Sequence, residues 1–313
     1  MATAVTYRRG IRLLAEHLGC EPTEEAVYAK RLATEPAAYA SSLLRAANTD
    51  LVLVDEGFPP APDGTSWREL GELAGCDARP IMRIEQTAEA IGIDSLDALR
   101  EAVSTARSRG YVALKTIAAY RGGLDLDALP PPARPDRLEG AAVRDVVLAA
   151  LEANEDTGDP LPVQVHTGFG DSDLLLPSAR PGLLKPLIER FRETTFVLLH
   201  CYPFVREAGW LAHVYGNVFF DLSLTIPHVG RPAAAVSEAL ELAPVSKLLY
   251  ASDASRTPEL YLLAAAWWRD ALAEVLPALM PALDAVAAGH MILRANALAV
   301  YRLGETSPRT SSM

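Results

Sequence analysis

The stretch TFVLLHCYPFVREAGWLAHVYGNVFFDLS, residues 195–223, decides the fold. An apolar run ends on His200, an amphipathic helical pattern follows over 205–216, and a second apolar run ends on Asp221. Two strand patterns separated by one helix form a βαβ unit, which requires parallel pairing. Both runs are nearly continuous in apolar residues, as expected of a sheet covered on both faces.

The same alternation extends in both directions. Strand patterns occur at 50–57, 80–86, 111–117, 161–167, 195–201, 217–223 and 247–253. Helical patterns fall at 95–110, 140–158, 181–193, 205–216 and 233–244, followed by long ones at 257–276 and 283–303. Residues 1–49 read as helices, including 7–19 closed by Gly19 and 23–33 opened by a Thr-Glu-Glu capping signal. The expectation is one domain over 1–303, with a disordered tail at 304–313. The Pro-rich piece 129–137 reads as a loop insertion, because the alternation resumes unchanged after it. Seven strands are one short of a closed (β/α)8 barrel. A doubly wound open sheet is the rival, but the chain has neither GxGxxG nor a GK[ST] loop.

Composition narrows the partners. The net charge of −11, from 29 basic and 40 acidic residues, argues against nucleic acid and anionic membrane surfaces. Cys20, Cys76 and Cys201 show no paired spacing, which suits a reducing cytoplasm. The expectation is that no apolar run reaches transmembrane length and that the N-terminus lacks a signal peptide's basic-then-apolar layout. A small-molecule substrate is the expected partner, with a homo-oligomer left open.

Strand after strand ends on a polar or ionisable residue: Asp55 and Glu56, then Glu85, Lys115, His166, His200, Asp221 and Asp253. In a parallel barrel these ends share one rim, where such folds carry their chemistry. Each has a plainer reading. A rim histidine can be merely hydrogen-bonded, Asp221 can cap the next segment, and a lysine can cover apolar surface with its stem. Lys115 at the end of a buried strand calls for a charge partner, and Glu85 is the expected one. Two imidazoles and a carboxylate, His166, His200 and Asp253, suit Zn²⁺ or a similar divalent ion. His228 follows a strand at the same rim and is a candidate substrate contact. His17, His213 and His290 lie in helical patterns and read as structural, and Trp267 and Trp268 read as packing.

VQVHTGFGD (163–171), FVLLHCYPFVREAGWLA (196–212), NVFFDLS (217–223) and LLYASDASRTPE (248–259), in this order, resemble the amidohydrolase-related metal-dependent hydrolases. ALKTIAAYRGGL (113–124) and NALAVYRL (296–303) are similar to the branch fused to glutamine-synthetase-like proteins. The resemblance spans about residues 7–303 and implies a distorted (β/α)8 barrel holding one or two divalent metals, Zn or else Mn or another ion. It implies that His166 is a metal ligand. It makes His200 a ligand or a catalytic group beside it, and Asp253 a ligand and general base. Lys115 matches a position that is carboxylated and bridges two metals in some relatives. Arg83, Glu85, Tyr120 and Arg121 lie in branch motifs, with the arginines suited to a substrate carboxylate. The family's first strand carries His-x-His, and this chain has none. The expectation is therefore a barrel lacking its first strand, through an N-terminal truncation, with two exposed edges and weakened metal binding. Three functions follow: hydrolysis of a small carboxylated amide or lactone, a superfamily decarboxylation, or a catalytically impaired barrel.

Overall fold

A computed structural model describes residues 3–57, 64–130 and 138–304. The tail 305–313 and most of the Pro-rich insertion, 131–137, lie outside the described residues. Seven strands form: β1 Leu51–Asp55, β2 Asp77–Arg83, β3 Ala113–Thr116, β4 Val163–Thr167, β5 Phe196–His200, β6 Val218–Asp221 and β7 Leu248–Leu249. They pair in chain order, every pair parallel. The result is a curled sheet wrapped by helices, a half-barrel of the (β/α)8 type. All seven strand expectations correspond to strands.

Two apolar layers sandwich this sheet. Leu53, Ile81, Ala113, Val197, Leu199, Phe219 and Leu249 point inward, two residues apart where a strand supplies two. The alternate positions, such as Leu114, Val163, Val165, Phe196, Leu198 and Phe220, face the helices. The closing segment adds Val300 and Tyr301 to the inner layer. There Gln164 Nε2 donates to Tyr301 Oη at 2.8 Å, so the buried amide is satisfied.

The sheet does not close. β1 pairs with β2 and β7 with β6, and no pairing joins β1 to β7 among the described residues. Every residue of β1 is partly exposed, whereas β4 and β5 are buried throughout. The closing helices partly cover the free edge of β7. Tyr250 N–H donates to the Ile292 carbonyl, and the Asn296 amide donates to the carbonyls of Val245 and Leu248. Across the gap, Arg294 pairs with Asp50 at 3.0 Å. The stretch Ala282–Val300 is long and apolar enough to cross a membrane by composition, with mean hydropathy 1.2. That qualifies the reading that no such run exists, although these hydrogen bonds tie the stretch to the barrel.

Several boundaries differ from the sequence reading. β2 ends at Arg83 rather than at 86, and a helix begins at once, Ile84–Ile91. The helix Trp67–Ala74 was not anticipated, although Ser66 and Glu69 cap it reciprocally, a signal visible in the sequence. The last helix is broken by a π-helical turn, Met291–Ala295. Trp267 and Trp268 are buried in the helix Glu259–Leu279, where Trp268 Nε1 donates to the Ala251 carbonyl.

Replacing Tyr301 by Phe tests the inner layer. It leaves the Gln164 amide buried without its acceptor, at a cost of about 1–3 kcal/mol. The urea midpoint is expected to fall with an unchanged slope; an unmoved midpoint would show that this bond contributes nothing.

Candidate active site

The inward alternation that fills the inner layer with apolar residues ends, one step further along, in charge. Asp55 follows Leu53, Arg83 follows Ile81, Lys115 follows Ala113 and His166 follows Gln164. Arg83 and Lys115 are register partners on β2 and β3. All four line one cavity of about 1930 Å³ that opens at the strand ends and along the gap between β1 and β7.

Asp55 is the hub of the charged part. Lys115 Nζ lies 2.9 Å from Asp55 Oδ2, Arg83 Nε donates to the same oxygen at 3.1 Å, and Asp55 Oδ1 accepts from Gly57 N–H. Arg83 Nη1 is taken by the Gly57 carbonyl. Burial alone would raise the Asp55 pKa. The Lys115 ammonium and the Arg83 guanidinium outweigh it and hold the carboxyl down at about 2. Glu85 is not the partner of Lys115. Because β2 ends early, Glu85 sits in the first turn of the next helix, outside the cavity lining. It is fully buried and accepts hydrogen bonds from Thr116 Oγ1 and Ile117 N–H. Burial pushes its pKa up. It does not line the cavity, so the expected substrate contact at Glu85 is not seen.

The two histidines stand together. Their ring centroids are 4.5 Å apart, and the Tyr120 ring lies tilted against His166 with centroids 4.6 Å apart. His166 Nε2 is buried with no hydrogen-bond partner. Burial pushes the pKa of both rings well below the ordinary value, and the neighbouring Lys115 charge adds to this. Both imidazoles are therefore neutral at pH 7, the form that offers a lone pair.

His200 reaches this position by breaking the strand pattern. Val197 and Leu199 face inward, so strict alternation assigns His200 to the outer face. Left-handed backbone at His200 (φ 68°) and Cys201 (φ 67°) overrides that. Such a conformation costs a non-glycine residue about 1 kcal/mol or more and needs support. His200 N–H donates to Asp221 Oδ1 at 2.8 Å, and Thr225 Oγ1 donates to the His200 carbonyl at 2.6 Å. Burial pushes the Asp221 carboxyl up to about 6.

Asp253, also left-handed at φ 49°, completes the set. Its Oδ2 lies 4.0 Å from His200 Nδ1, and about a third of its side chain (35%) opens onto the cavity. The surrounding protein raises its pKa through burial, while Lys115, His166 and His228 pull it down. His228 Nδ1 is bonded to the Leu224 carbonyl, Arg121 is paired with Glu89 at 2.9 Å, and Tyr120 Oη accepts from Asp171 N–H. His228, Arg121 and Tyr120 all line the cavity.

Two imidazoles and a carboxylate are the right donors for a divalent ion, and the buried His166 Nε2 has no protein hydrogen-bond partner, which suits a ligand position. Among the described residues, however, no three His, Cys, Asp or Glu side chains are grouped closely enough to hold one. The fit is one of donor chemistry rather than of a finished coordination shell.

The glycines after His166 are explained here. Gly168 (φ 72°) lies against the Tyr202 backbone, and a Cβ on Gly170 would overlap Tyr120 Oη and crowd His166 Nε2. Gly170→Ala is expected to cost about 1–3 kcal/mol and to displace Tyr120 from His166. An unchanged melting temperature and unchanged His166 ring resonances would refute that packing. Asp55→Asn strands two buried cations and is expected to cost about 3–5 kcal/mol at pH 7. A depressed carboxyl stabilises above its ordinary range near 3.8, and that gain is lost as pH falls through about 2. The gap between wild type and Asp55→Asn should therefore shrink on acidification, and denaturant titrations at pH 7 and near pH 3 check the sign.

Comparison with known proteins bears on the family and the fold. The amidohydrolase family model matches residues 66–303. Protein fluG of Emericella nidulans is 35% identical over 228 residues, covering 63% of this chain and 26% of fluG. The match thus spans about a quarter of that relative's length. A Lactobacillus casei ATCC 334 protein assigned as a metal-dependent hydrolase is 29% identical, with a TM-score of 0.84 over 96% of this chain and 85% of its own. A uronate isomerase of Bacillus halodurans C-125 shares the fold at 13% identity, with a TM-score of 0.61 over 96% of this chain and 78% of its own. With the family model covering most of the sequence and the strand ends bearing two imidazoles and a carboxylate, the chain belongs to the amidohydrolase family.

Proposed function

We propose that the chain is a metal-dependent hydrolase that cleaves a small carboxylated amide or lactone. One observation carries the reading: the buried, unpartnered His166 Nε2, set 4.5 Å ring to ring from His200 at the cavity. A buried polar atom without a partner costs about 1–3 kcal/mol, and a bound cation removes that cost. His166, His200 and Asp253 would hold the ion, with Zn²⁺ the first choice and Mn²⁺ the second. When bound, such an ion polarises the scissile carbonyl and makes water a better nucleophile.

The protein's own groups supply the rest. Asp253 opens onto the cavity and takes a proton from the attacking water, then returns it to the leaving group. His200 would serve the ion through a ring lone pair and gives the substrate no hydrogen bond. Tyr120 packs at a tilt against the His166 ring and limits its rotation. Lys115 is engaged by Asp55, so this reading uses no carboxylated lysine. Arg121 and His228 line the cavity, and this reading assigns them to a substrate carboxylate, Arg121 by exchange from Glu89. A second reading, a barrel that keeps the pocket without turnover, is favoured by the lack of a three-donor group among the described residues.

Chelator-stripped protein titrated with Zn²⁺ or Mn²⁺ in a calorimeter, then assayed on N-acyl amino acids and lactones, separates these readings. Saturable binding of the ion and ion-dependent hydrolysis are expected. His166→Ala should weaken binding by more than the about 10–100-fold that losing a group behind a ligand costs. Metal content unmoved by His166→Ala overturns the site. Binding without hydrolysis but with CO₂ release from carboxylated aromatics moves the protein to the lyases. Absence of binding leaves the inactive barrel.

A further inference from the structure

Two polar side chains stand in a row from the Nδ1 edge of His200. His200 Nδ1 lies 2.7 Å from Ser223 Oγ, and Ser223 Oγ lies 2.7 Å from Asp221 Oδ1. The same Asp221 oxygen accepts the backbone N–H of His200 at 2.8 Å and of Ser223 at 3.0 Å. All three side chains are almost wholly buried, at 1–2% exposure, so no bulk water can substitute for a missing partner.

The direction of each bond follows from counting protons. Two backbone N–H groups converge on Asp221 Oδ1, so that oxygen is an acceptor whether or not the other carboxyl oxygen is protonated. Ser223 has one hydroxyl proton, and the contact to Asp221 uses it. The hydroxyl then has only lone pairs left for His200, and a 2.7 Å contact between two lone pairs would be repulsive. Nδ1 must carry a hydrogen and donate it. Leu224 N–H also points at Nδ1, but from 3.4 Å, beyond the usual 2.7–3.2 Å range, so it does not compete. A neutral imidazole has one N–H, so Nε2 keeps a free lone pair. Nε2 makes no hydrogen bond to any described residue, and His200 lines the cavity.

We infer that Ser223, backed by Asp221, is a positioning residue that holds His200 in the Nδ1–H tautomer and presents the Nε2 lone pair to the cavity. The left-handed turn brings the ring to the site, and the Ser223–Asp221 pair chooses which nitrogen is available. The inference rests on the hydrolase reading only for the use made of that lone pair. The tautomer itself stands or falls on its own.

Long-range ¹H–¹⁵N spectra of histidine-labelled, chelator-stripped protein test it, with the His200 signals assigned by their loss in His200→Gln. In the wild type the protonated ring nitrogen of His200 is expected to be Nδ1. Ser223→Ala should lose that signature at His200, and Ser223→Thr, which returns the hydroxyl, should restore it. Co²⁺ titrated alone into the Ala variant should bind about 10–100-fold more weakly than into wild type, with Thr recovering most of the loss. A wild-type His200 protonated on Nε2, or an Ala variant with an unchanged tautomer, overturns the inference. If the Ala variant fails to fold, the wild-type spectrum alone still decides. If Co²⁺ binds neither protein, the hydrolase reading fails while the tautomer readout remains decisive here.

Discussion

A sheet covered on both faces leaves ionisable side chains one place to go, the ends of its strands. In this protein the inner face packs Leu53, Ile81, Ala113, Val197 and Leu199 against the closing segment, and the outer face packs against helices. A charge anywhere along that length would be desolvated without compensation, at a cost of several kcal/mol. Parallel pairing in chain order points all seven ends the same way. The site is therefore a consequence of the core. The residues that cannot be buried in the layers are gathered where the layers stop.

That logic is why so much was legible beforehand. β4 and β5 announce themselves as continuous apolar runs ending in His166 and His200, and the half-barrel follows from their repetition. What was not legible had particular physical causes. Glu85 looked like a strand end, but β2 stops at Arg83 and Glu85 becomes the second residue of a helix, bonded to Thr116 and Ile117 outside the cavity lining. Its loss from the rim leaves Lys115 to Asp55, a residue visible at a strand end and not given a role. A boundary error of a few residues thus reassigned an ion pair. Ser223 was missed for another reason: a serine after a strand carries no signal until its distance to His200 is known.

The position of His200 shows the limit of reading faces from alternation. A period of two assigns it to the helices, yet it lies against His166. No glycine marks the left-handed turn that moves it, and the sequence shows only an ordinary His-Cys pair. The structure maintains the strained backbone with two hydrogen bonds, one from His200 N–H to Asp221 and one from Thr225 to its carbonyl. Each is worth on the order of 1 kcal/mol, comparable to the conformational cost they offset. Strain of this kind persists only where surrounding groups over-determine it, and here those groups also reach the ring.

Charge balance then sets what the cavity can accept. Two buried neutral imidazoles make a poor place for a cation if Lys115 and Arg83 stand beside them unopposed. At an effective dielectric of about 20, unit charges about 6 Å apart repel by about 3 kcal/mol. Asp55 cancels one of the two positive charges, and Asp253 contributes a second negative charge beside His200. The four groups together are close to neutral, so a bound divalent ion would face little net repulsion. Asp55 therefore acts on the site without touching it. It lets Lys115 fill the end of a buried strand while keeping the neighbouring histidines able to take a positive partner.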